Sequence, residues 1–219
     1  QIDVGNLAGF LHEPVGQVGE MLVAKLGDAV KSISIIGSAL TADYTAGVSD
    51  INSVVVLESQ KTSSLKAITE LARGMTKKKF DAPLLMTRGY IERRLDVFAM
   101  EFLDFQLIHE TIYGDDPFAG LSFEKADLRL QCERELKATL IRLRQGYIAA
   151  VGRNKYVRDI LISSVKGMGP LMRGLLWLRD ADRPKEVNAV FEKVQGEFGV
   201  NTEVLKEVRG WHYMKIKPE

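Results

Sequence analysis

The sequence predicts an α/β domain followed by an all-helical domain, with a small mixed β-sheet and flanking helices in the first part and a helical bundle in the second. Two observations support this division. Short apolar runs alternate with amphipathic segments up to about residue 114, and from about residue 123 long stretches with few Gly or Pro residues carry apolar side chains at helical spacing. We place the boundary in the segment 115–120 (DDPFAG), which gives an α/β domain over residues 1–120 and a helical bundle over residues 121–219.

The first half alternates predicted helices and strands. Residues 32–36 (SISII) form a short apolar run that stops at Gly37, and residues 51–57 (INSVVVL) are rich in β-branched types, so both are predicted strands. The other predictions in this half are helices over 14–29, 62–75 and 101–108, and strands over 93–100 and 109–114.

The second half predicts helices only. Residues 124–150 contain no Pro and one Gly, and their apolar residues recur every three or four positions, which is typical of a long amphipathic helix. A second helix is predicted over 155–179 with a bend near 167–170 (GMGP), because Pro and Gly interrupt a regular helix. Further helices are expected over 184–198 and 201–209.

The composition argues against several classes of protein. The net charge of +1 gives no basic excess that would attract nucleic acid, and no run approaches the ~18 apolar residues of a membrane span. Cys132 is the single cysteine, so an internal disulfide is impossible and a reducing, cytoplasmic location is expected. Residues 129–158 hold eight basic side chains against two acidic ones, which indicates either a solvated helix face or a surface that attracts an acidic group.

Three polar residues stand where strands are predicted. Asp50 and Asn52 lie two apart at the start of the strand 51–57, so their oxygens should point to the same side. Asp96 lies in the apolar context Leu95-Asp96-Val97-Phe98, where a buried carboxylate must be paired or coordinated. Asp96 could pair with Arg93 or Arg94, or it could join Asp50 and Asn52 to make an oxygen site for Mg²⁺.

The ordered set of Gly37-Ser38, Asp50-Ile51-Asn52 and Leu95-Asp96-Val97 resembles the motifs of the nucleotidyltransferase superfamily, in particular the minimal and kanamycin-type members. The family pattern is Gly-Ser, a spacer of about ten residues, Asp-x-Asp/Glu and a later third carboxylate. Gly47 and Ser49, just before Asp50, strengthen the resemblance. Members of this family join a small α/β catalytic domain to a helical bundle, as the predicted layout does.

The resemblance implies roles for individual residues. Gly37, Ser38 and Ser49 would bind the nucleotide, and Asp50, Asn52 and Asp96 would form the catalytic and metal-binding set that holds Mg²⁺. The implied reaction is transfer of a nucleotidyl group, with AMP from ATP or the corresponding group from another nucleoside triphosphate, to an unknown small-molecule or protein acceptor. Glu133 or Glu135 could act as a general base, and a homodimer is a possible assembly.

Asn52 departs from the family pattern, which has a carboxylate at this position. An amide oxygen can coordinate a cation but carries no formal charge, so a site with Asn52 neutralises less of a dication. Asp43 and Glu58 are nearby acids that could compensate. Two hypotheses therefore stay open, an enzyme that tolerates Asn52 and a binding or regulatory module that keeps the fold but has lost transfer.

Overall fold

A computed structural model of the chain describes residues 1–213, which divide into two compact units. The α/β unit comprises Gln1–Leu95 and Phe105–Ser122, and the helical unit comprises Asp96–Asp104 and the chain from Phe123 onwards. The predicted fold class, a small mixed sheet with flanking helices and an additional helical region, is confirmed. None of the helices within the described residues is both long and apolar enough to cross a membrane.

Helices and strands alternate in the first half of the chain, and helices alone follow. In chain order the elements are α1 (Gly9–Leu26), β1 (Val30–Ile36), β2 (Asn52–Leu57), α2 (Thr62–Lys77), β3 (Leu84–Met86), α3 (Arg88–Arg93), α4 (Ala99–Leu107), β4 (His109–Gly114), α5 (Lys125–Ala150), α6 (Asn154–Lys166), α7 (Met168–Leu178), α8 (Val187–Phe198) and α9 (Glu203–Tyr213). Short 3₁₀ turns precede and follow β1. The predicted bend near residues 167–170 is confirmed, because Gly167 separates α6 from α7.

The sheet of the α/β unit is mixed, with strand order β3-β2-β1-β4. β1 lies in the middle and pairs antiparallel with both β2 and β4, while β2 pairs parallel with the edge strand β3. Ile36 at the end of β1 is directly opposite Asn52 at the start of β2. This register brings the turn that follows β1 next to the residues that precede β2.

The core of the α/β unit forms because one side of α1 and one face of the sheet are both apolar. Leu11, Val15 and Leu22 recur at the helical spacing that places them on one side of α1, and all three are buried. They belong to one cluster with Ile35 and Val55 of the two central strands. Burying one such side chain contributes about 1.5–3 kcal/mol, so this packing fixes the position of the strands.

The helical unit has its own core, built mainly from α5, α7 and α8. Gly174 of α7 allows close approach to α5, because a Cβ atom there would lie 3.0 Å from the Sγ atom of Cys132. The Arg173 guanidinium forms a buried pair with Asp104, with 2.5 Å between Nε and Oδ1. Arg173 also donates to the carbonyl oxygen of Lys185 at 3.1 Å.

The predicted strand over residues 93–100 is wrong. Arg93 ends α3, residues 95–97 form a turn, and α4 begins at Ala99. The short apolar run therefore combines the end of one helix, a turn and the start of the next. Asp96 is exposed in this turn, so the expectation of a buried carboxylate is also wrong.

Candidate functional site

Gly37 starts the turn that follows β1, and its backbone conformation suits glycine. Its φ of +75° lies in the left-handed region, and a Cβ atom built there would meet nothing within 4 Å. The Gly37 amide donates to the carbonyl oxygen of Ile108 at 3.3 Å, and the Ser38 carbonyl accepts from the Thr41 amide at 3.1 Å. The turn is thus held from within the α/β unit, with open space above Gly37.

Asp50 and Asn52 lie beside this turn, because Asn52 is paired with Ile36. Ile51, between them, is 1% exposed and belongs to the core, whereas Asp50 is exposed and Asn52 is half-buried. Since side chains alternate along a strand, Asp50 and Asn52 project away from the core that holds Ile51. The structure therefore brings Gly37, Ser38, Asp50 and Asn52 together where β1 ends and β2 begins.

Ser49 stabilises the loop that precedes these residues. Its hydroxyl accepts a hydrogen bond from the Thr45 amide at 3.1 Å, and its own amide donates to the Thr45 carbonyl at 2.8 Å. Both bonds close the turn between Thr45 and Ser49. This contact gives Ser49 a structural role, and its predicted role in nucleotide binding stays a prediction.

Asp96 has a different setting from Asp50 and Asn52. It belongs to the helical unit, while Asp50 and Asn52 belong to the α/β unit. Its side chain is exposed in the turn between α3 and α4 and does not lie on a strand of the sheet. Its predicted share in a common site stays a prediction.

The structure adds one acid that sequence reasoning missed. Ile51 forms an isolated parallel bridge with Phe80, and its carbonyl accepts from the Asp81 amide at 3.1 Å. Asp81 therefore lies next to the Asp50–Asn52 segment, and its carboxylate is exposed. In the sequence, Asp81 could be recognised as a candidate because it comes just before Pro83 and the short apolar strand β3, as Asp50 comes just before β2.

The two acids weighed as substitutes for Asn52 differ in their positions. Glu58 follows the last residue of β2, at the opposite end of that strand from Asn52. It forms an ion pair with Lys31, with 2.6 Å between Oε2 and Nζ, and the hydrogen bond from Lys31 lowers the pKa of its carboxyl group. Asp43 lies two residues beyond Thr41, whose hydroxyl accepts from the Asp43 amide at 3.2 Å. Glu58 is therefore not a substitute for the missing carboxylate.

Whether the protein could hold Mg²⁺ depends on the oxygen ligands that its side chains offer. Within residues 1–213, no three or more His, Cys, Asp or Glu side chains gather in a way that could hold a metal ion. Asp50 supplies one carboxylate and Asn52 supplies a neutral amide oxygen, which leaves most of a dication's charge uncompensated. These residues do not fit a divalent cation held by protein side chains alone.

The helical unit contains a cavity of about 620 Å³, a size typical of small-molecule sites. Its apolar lining is formed by Met100, Leu143, Ile160, Met168 and Leu171. Its polar lining includes Glu135, Arg142 and Asp159, and the Arg142 guanidinium donates to the hydroxyl of Thr139 at 2.9 Å. Asp159 is exposed and makes no hydrogen bond or ion pair with another described residue.

Glu133 and Glu135, the two candidate bases on α5, have different environments. Glu133 is held between Lys137 at 2.5 Å and Arg129 at 3.2 Å, and the hydrogen bond from Lys137 lowers the pKa of its carboxyl group. A carboxylate whose pKa is lowered in this way is a weaker base. Glu135 lines the cavity, so it is better placed than Glu133 to act as a base on a molecule bound there.

The fold combines a small mixed four-stranded sheet and its flanking helices with an additional helical region. A solved structure with the same fold is spectinomycin adenyltransferase AAD(9) from Enterococcus faecialis, determined with ATP and spectinomycin. The two chains superpose with a TM-score of 0.58 and 12% sequence identity, over 94% of this chain and 92% of that chain. No protein-family model matches the sequence, and no curated protein matches it either.

Proposed function

We propose that the protein binds a nucleoside triphosphate, ATP by preference, where β1 ends and β2 begins, beside Gly37, Ser38, Asp50 and Asn52. We further propose that it acts as a binding or regulatory module with little or no nucleotidyl transfer. The main support for this proposal is the strand register that pairs Ile36 with Asn52, because it sets the glycine turn beside the Asp-x-Asn segment. The open space above Gly37 supports close approach of a phosphate to the backbone.

The residues around Asn52 also predict weak catalysis. In-line transfer from a triphosphate develops negative charge that a firmly held cation must offset. Asn52 contributes no charge at this position, and β3, the strand next to β2, carries Leu84, Leu85 and Met86 without a carboxylate. Metal binding then depends on the phosphates of the nucleotide more than on the protein.

Nucleotidyl transfer is the second candidate, with AMP from ATP passed to a small-molecule or protein acceptor. One observation favours it. The Asp81 amide donates to the Ile51 carbonyl at 3.1 Å, so a second acidic residue lies beside the Asp50–Asn52 segment. Mg²⁺ would supply neutralisation of the triphosphate when bound, with Asp50 and Asn52 as its nearest protein ligands.

Calorimetric titration tests the nucleotide site, and pyrophosphate release then separates the two candidates. Wild-type protein and the Asn52→Asp variant are titrated with ATP, each with and without Mg²⁺. We expect the wild type to bind ATP with a Mg²⁺ effect below about tenfold, and Asn52→Asp to gain about tenfold or more when Mg²⁺ is present, equivalent to about 1.4 kcal/mol. Asn188→Asp is the matched control, because it makes the same charge change at an exposed residue of the helical unit.

Two results would contradict the first candidate. If neither the wild type nor Asn52→Asp binds ATP at millimolar concentration, the nucleotide site is wrong. If the wild type releases pyrophosphate from ATP and Asp50→Ala abolishes the release, the protein is an enzyme and the second candidate holds.

A further inference from the structure

The cavity of the helical unit lies between one face of α5 and one face of α6. On each helix the lining residues fall three, four, seven or eight positions after the first, and residues at these intervals share one side of a helix. The α5 face consists of Glu135, Thr139, Arg142 and Leu143, and the α6 face consists of Tyr156, Asp159, Ile160, Ser163 and Ser164. At 1.5 Å per residue each face extends over about 12 Å, so the cavity suits an extended ligand.

Packing of α5 against α6 fixes the walls of the cavity. A Cβ atom built on Gly146 would lie 2.7 Å from Cδ1 of Ile160, so the two helices are in direct contact at this glycine. Ile160 also lines the cavity, which therefore begins beside this contact. The space between the helices is thus set by their own packing, as is usual for small-molecule sites.

The base of the cavity is apolar and buried. Met100 of α4 and Met168 and Leu171 of α7 line it, and these three residues are between 3% and 9% exposed. Gly167, which follows the last residue of α6, also lines the cavity, and a Cβ atom built on it would meet nothing within 4 Å. Methionine side chains adapt to irregular shapes, so this base suits the hydrocarbon part of a ligand.

The charged residues that line the cavity favour a cation. Glu135 and Asp159 contribute one carboxylate from each helix, whereas Arg142 contributes the single guanidinium. Arg142 donates to the hydroxyl of Thr139 at 2.9 Å. Oε1 of Glu135 lies 3.7 Å from Nε of Arg134, and Asp159 makes no ion pair with another described residue. Two carboxylates against one guanidinium attract a single positive charge.

We propose that this cavity binds a lipophilic primary ammonium ion, in which one protonated amine is attached to an extended apolar chain. The chain lies along Met100, Met168 and Leu171, and the ammonium group lies between the carboxylates of Glu135 and Asp159. A ligand rich in hydroxyl groups does not suit the apolar base, because its polar groups would be buried there without hydrogen-bond partners. This site is additional to the proposed nucleotide site, and its ligand has the opposite charge.

Three eight-carbon probes of equal length separate the contributions of charge and chain. The full chain is titrated calorimetrically with n-octylammonium chloride, 1-octanol and sodium octanoate. We expect a submillimolar dissociation constant for octylammonium, about tenfold weaker binding of octanol, and weaker binding still of octanoate. Each buried methylene contributes about fourfold to affinity, so n-hexylammonium should bind about fifteenfold more weakly than octylammonium.

The Asp159→Asn variant tests the position of the ammonium group. Asp159 is exposed, so the change should leave folding intact while it removes one of the two carboxylates. We expect the affinity for octylammonium to fall about tenfold and the affinity for 1-octanol to stay unchanged. Glu207→Gln is the matched control, because it removes the same charge from an exposed residue of α9 that does not line the cavity.

The Ser163→Trp variant tests whether the chain of the ligand enters the cavity. Ser163 is exposed on the α6 face, so a large side chain can occupy the cavity without replacing a core residue. The affinity for octylammonium and for 1-octanol should then fall at least tenfold. Ser163→Ala is the control for the loss of the hydroxyl and should bind both probes as the wild type does. Far-UV circular dichroism checks that both variants are folded.

Four results would overturn the proposal. The first is a wild type that does not bind octylammonium at millimolar concentration. The second is octanoate that binds as tightly as octylammonium, which would indicate a site for an anion or for any apolar chain. The third is an affinity for octylammonium that Asp159→Asn leaves unchanged. The fourth is binding that Ser163→Trp leaves unchanged, which would place the ligand on another apolar surface of the protein.

Discussion

The buried cluster of Asp104, Arg173 and Arg183 in the helical unit allows an asymmetric stability prediction. Asp104 and Arg173 are 8% and 5% exposed and form two hydrogen bonds, at 2.5 and 3.2 Å. Burial is the main cause that lowers the pKa of the nearby Arg183, while Asp104 raises this pKa and Arg173 lowers it. Arg183 Nη1 is buried without a hydrogen-bond partner among the described residues. Asp104 is therefore the carboxylate that both guanidinium groups share, and Asp182 is a second acid that raises the pKa of Arg183.

Removing the carboxylate should cost more than removing the Arg173 guanidinium. Asp104→Asn keeps the shape but removes the carboxylate that is hydrogen-bonded to Arg173 and leaves only Asp182 to offset Arg183, for which we expect a loss of about 3–5 kcal/mol in the free energy of unfolding. Arg173→Met leaves Asp104 facing Arg183, which still compensates its charge. We therefore expect this variant to lose less than about 3 kcal/mol.

Urea denaturation followed by tryptophan fluorescence measures this difference. The chain has two tryptophans, Trp177 and Trp211, and both lie in the helical unit, so the signal reports on the unit that contains the cluster. Lys206→Gln is a suitable control, because it breaks only exposed ion pairs with Glu192 and Glu203 and should change stability by less than about 1 kcal/mol. If Arg173→Met proves as destabilising as Asp104→Asn, Arg183 does not share the carboxylate and the reasoning fails.

Three further predictions concern single residues. Ser53→Ala should stabilise the α/β unit by about 1 kcal/mol in hydrogen exchange, because the Ser53 hydroxyl is buried without a hydrogen-bond partner in the described chain, whereas Ser34→Ala should destabilise it by losing the 2.8 Å bond to Thr111. Gly37→Ala should cost about 1–2 kcal/mol from its positive φ alone, while Gly16→Ala in the open interior of α1 should be stabilising. Burial raises the pKa of the Cys132 thiol from about 9 to about 11, with a smaller contribution from Glu101, so iodoacetamide should label it at pH 8 only after unfolding. Because the folded state holds this proton more tightly, the stability it contributes is present below pH 9 and lost as the pH rises towards 11. Labelling of native protein at the unfolded rate, or stability that does not depend on pH across this window, would contradict the last prediction.

The sequence predicts most of the secondary structure because local patterns determine it. β-Branched runs such as residues 51–57 and the uninterrupted helical spacing of residues 124–150 need no information about distant parts of the chain. The strands 32–36 and 109–114 correspond closely to β1 and β4, and the long helix corresponds to α5. Gly37 is placed with Asp50 and Asn52 only through the resemblance to the family motif, because the pairing of β1 with β2 that brings these residues together is not a local pattern.

Asp96 shows where local patterns fail. Leu95, Val97 and Phe98 surround it with apolar residues, but Val97 is 45% exposed and the segment is a turn between two helices. Eight residues are too few to distinguish a strand from a helix end, a turn and a helix start. Asp81 was missed for the complementary reason, since its position beside Ile51 depends on the parallel pairing of β3 with β2, which no local pattern encodes.

The discontinuous composition of the two units has a consequence for how the protein is made. The segment Asp96–Asp104, which belongs to the helical unit, leaves the ribosome before Phe105–Ser122, which completes the α/β unit. Neither unit is therefore a continuous block of translated chain, and the α/β unit can close only after part of the helical unit has emerged. A gene fragment starting at residue 123 would encode Arg173 without Asp104, so the helical unit cannot be inherited or transplanted as a simple C-terminal module.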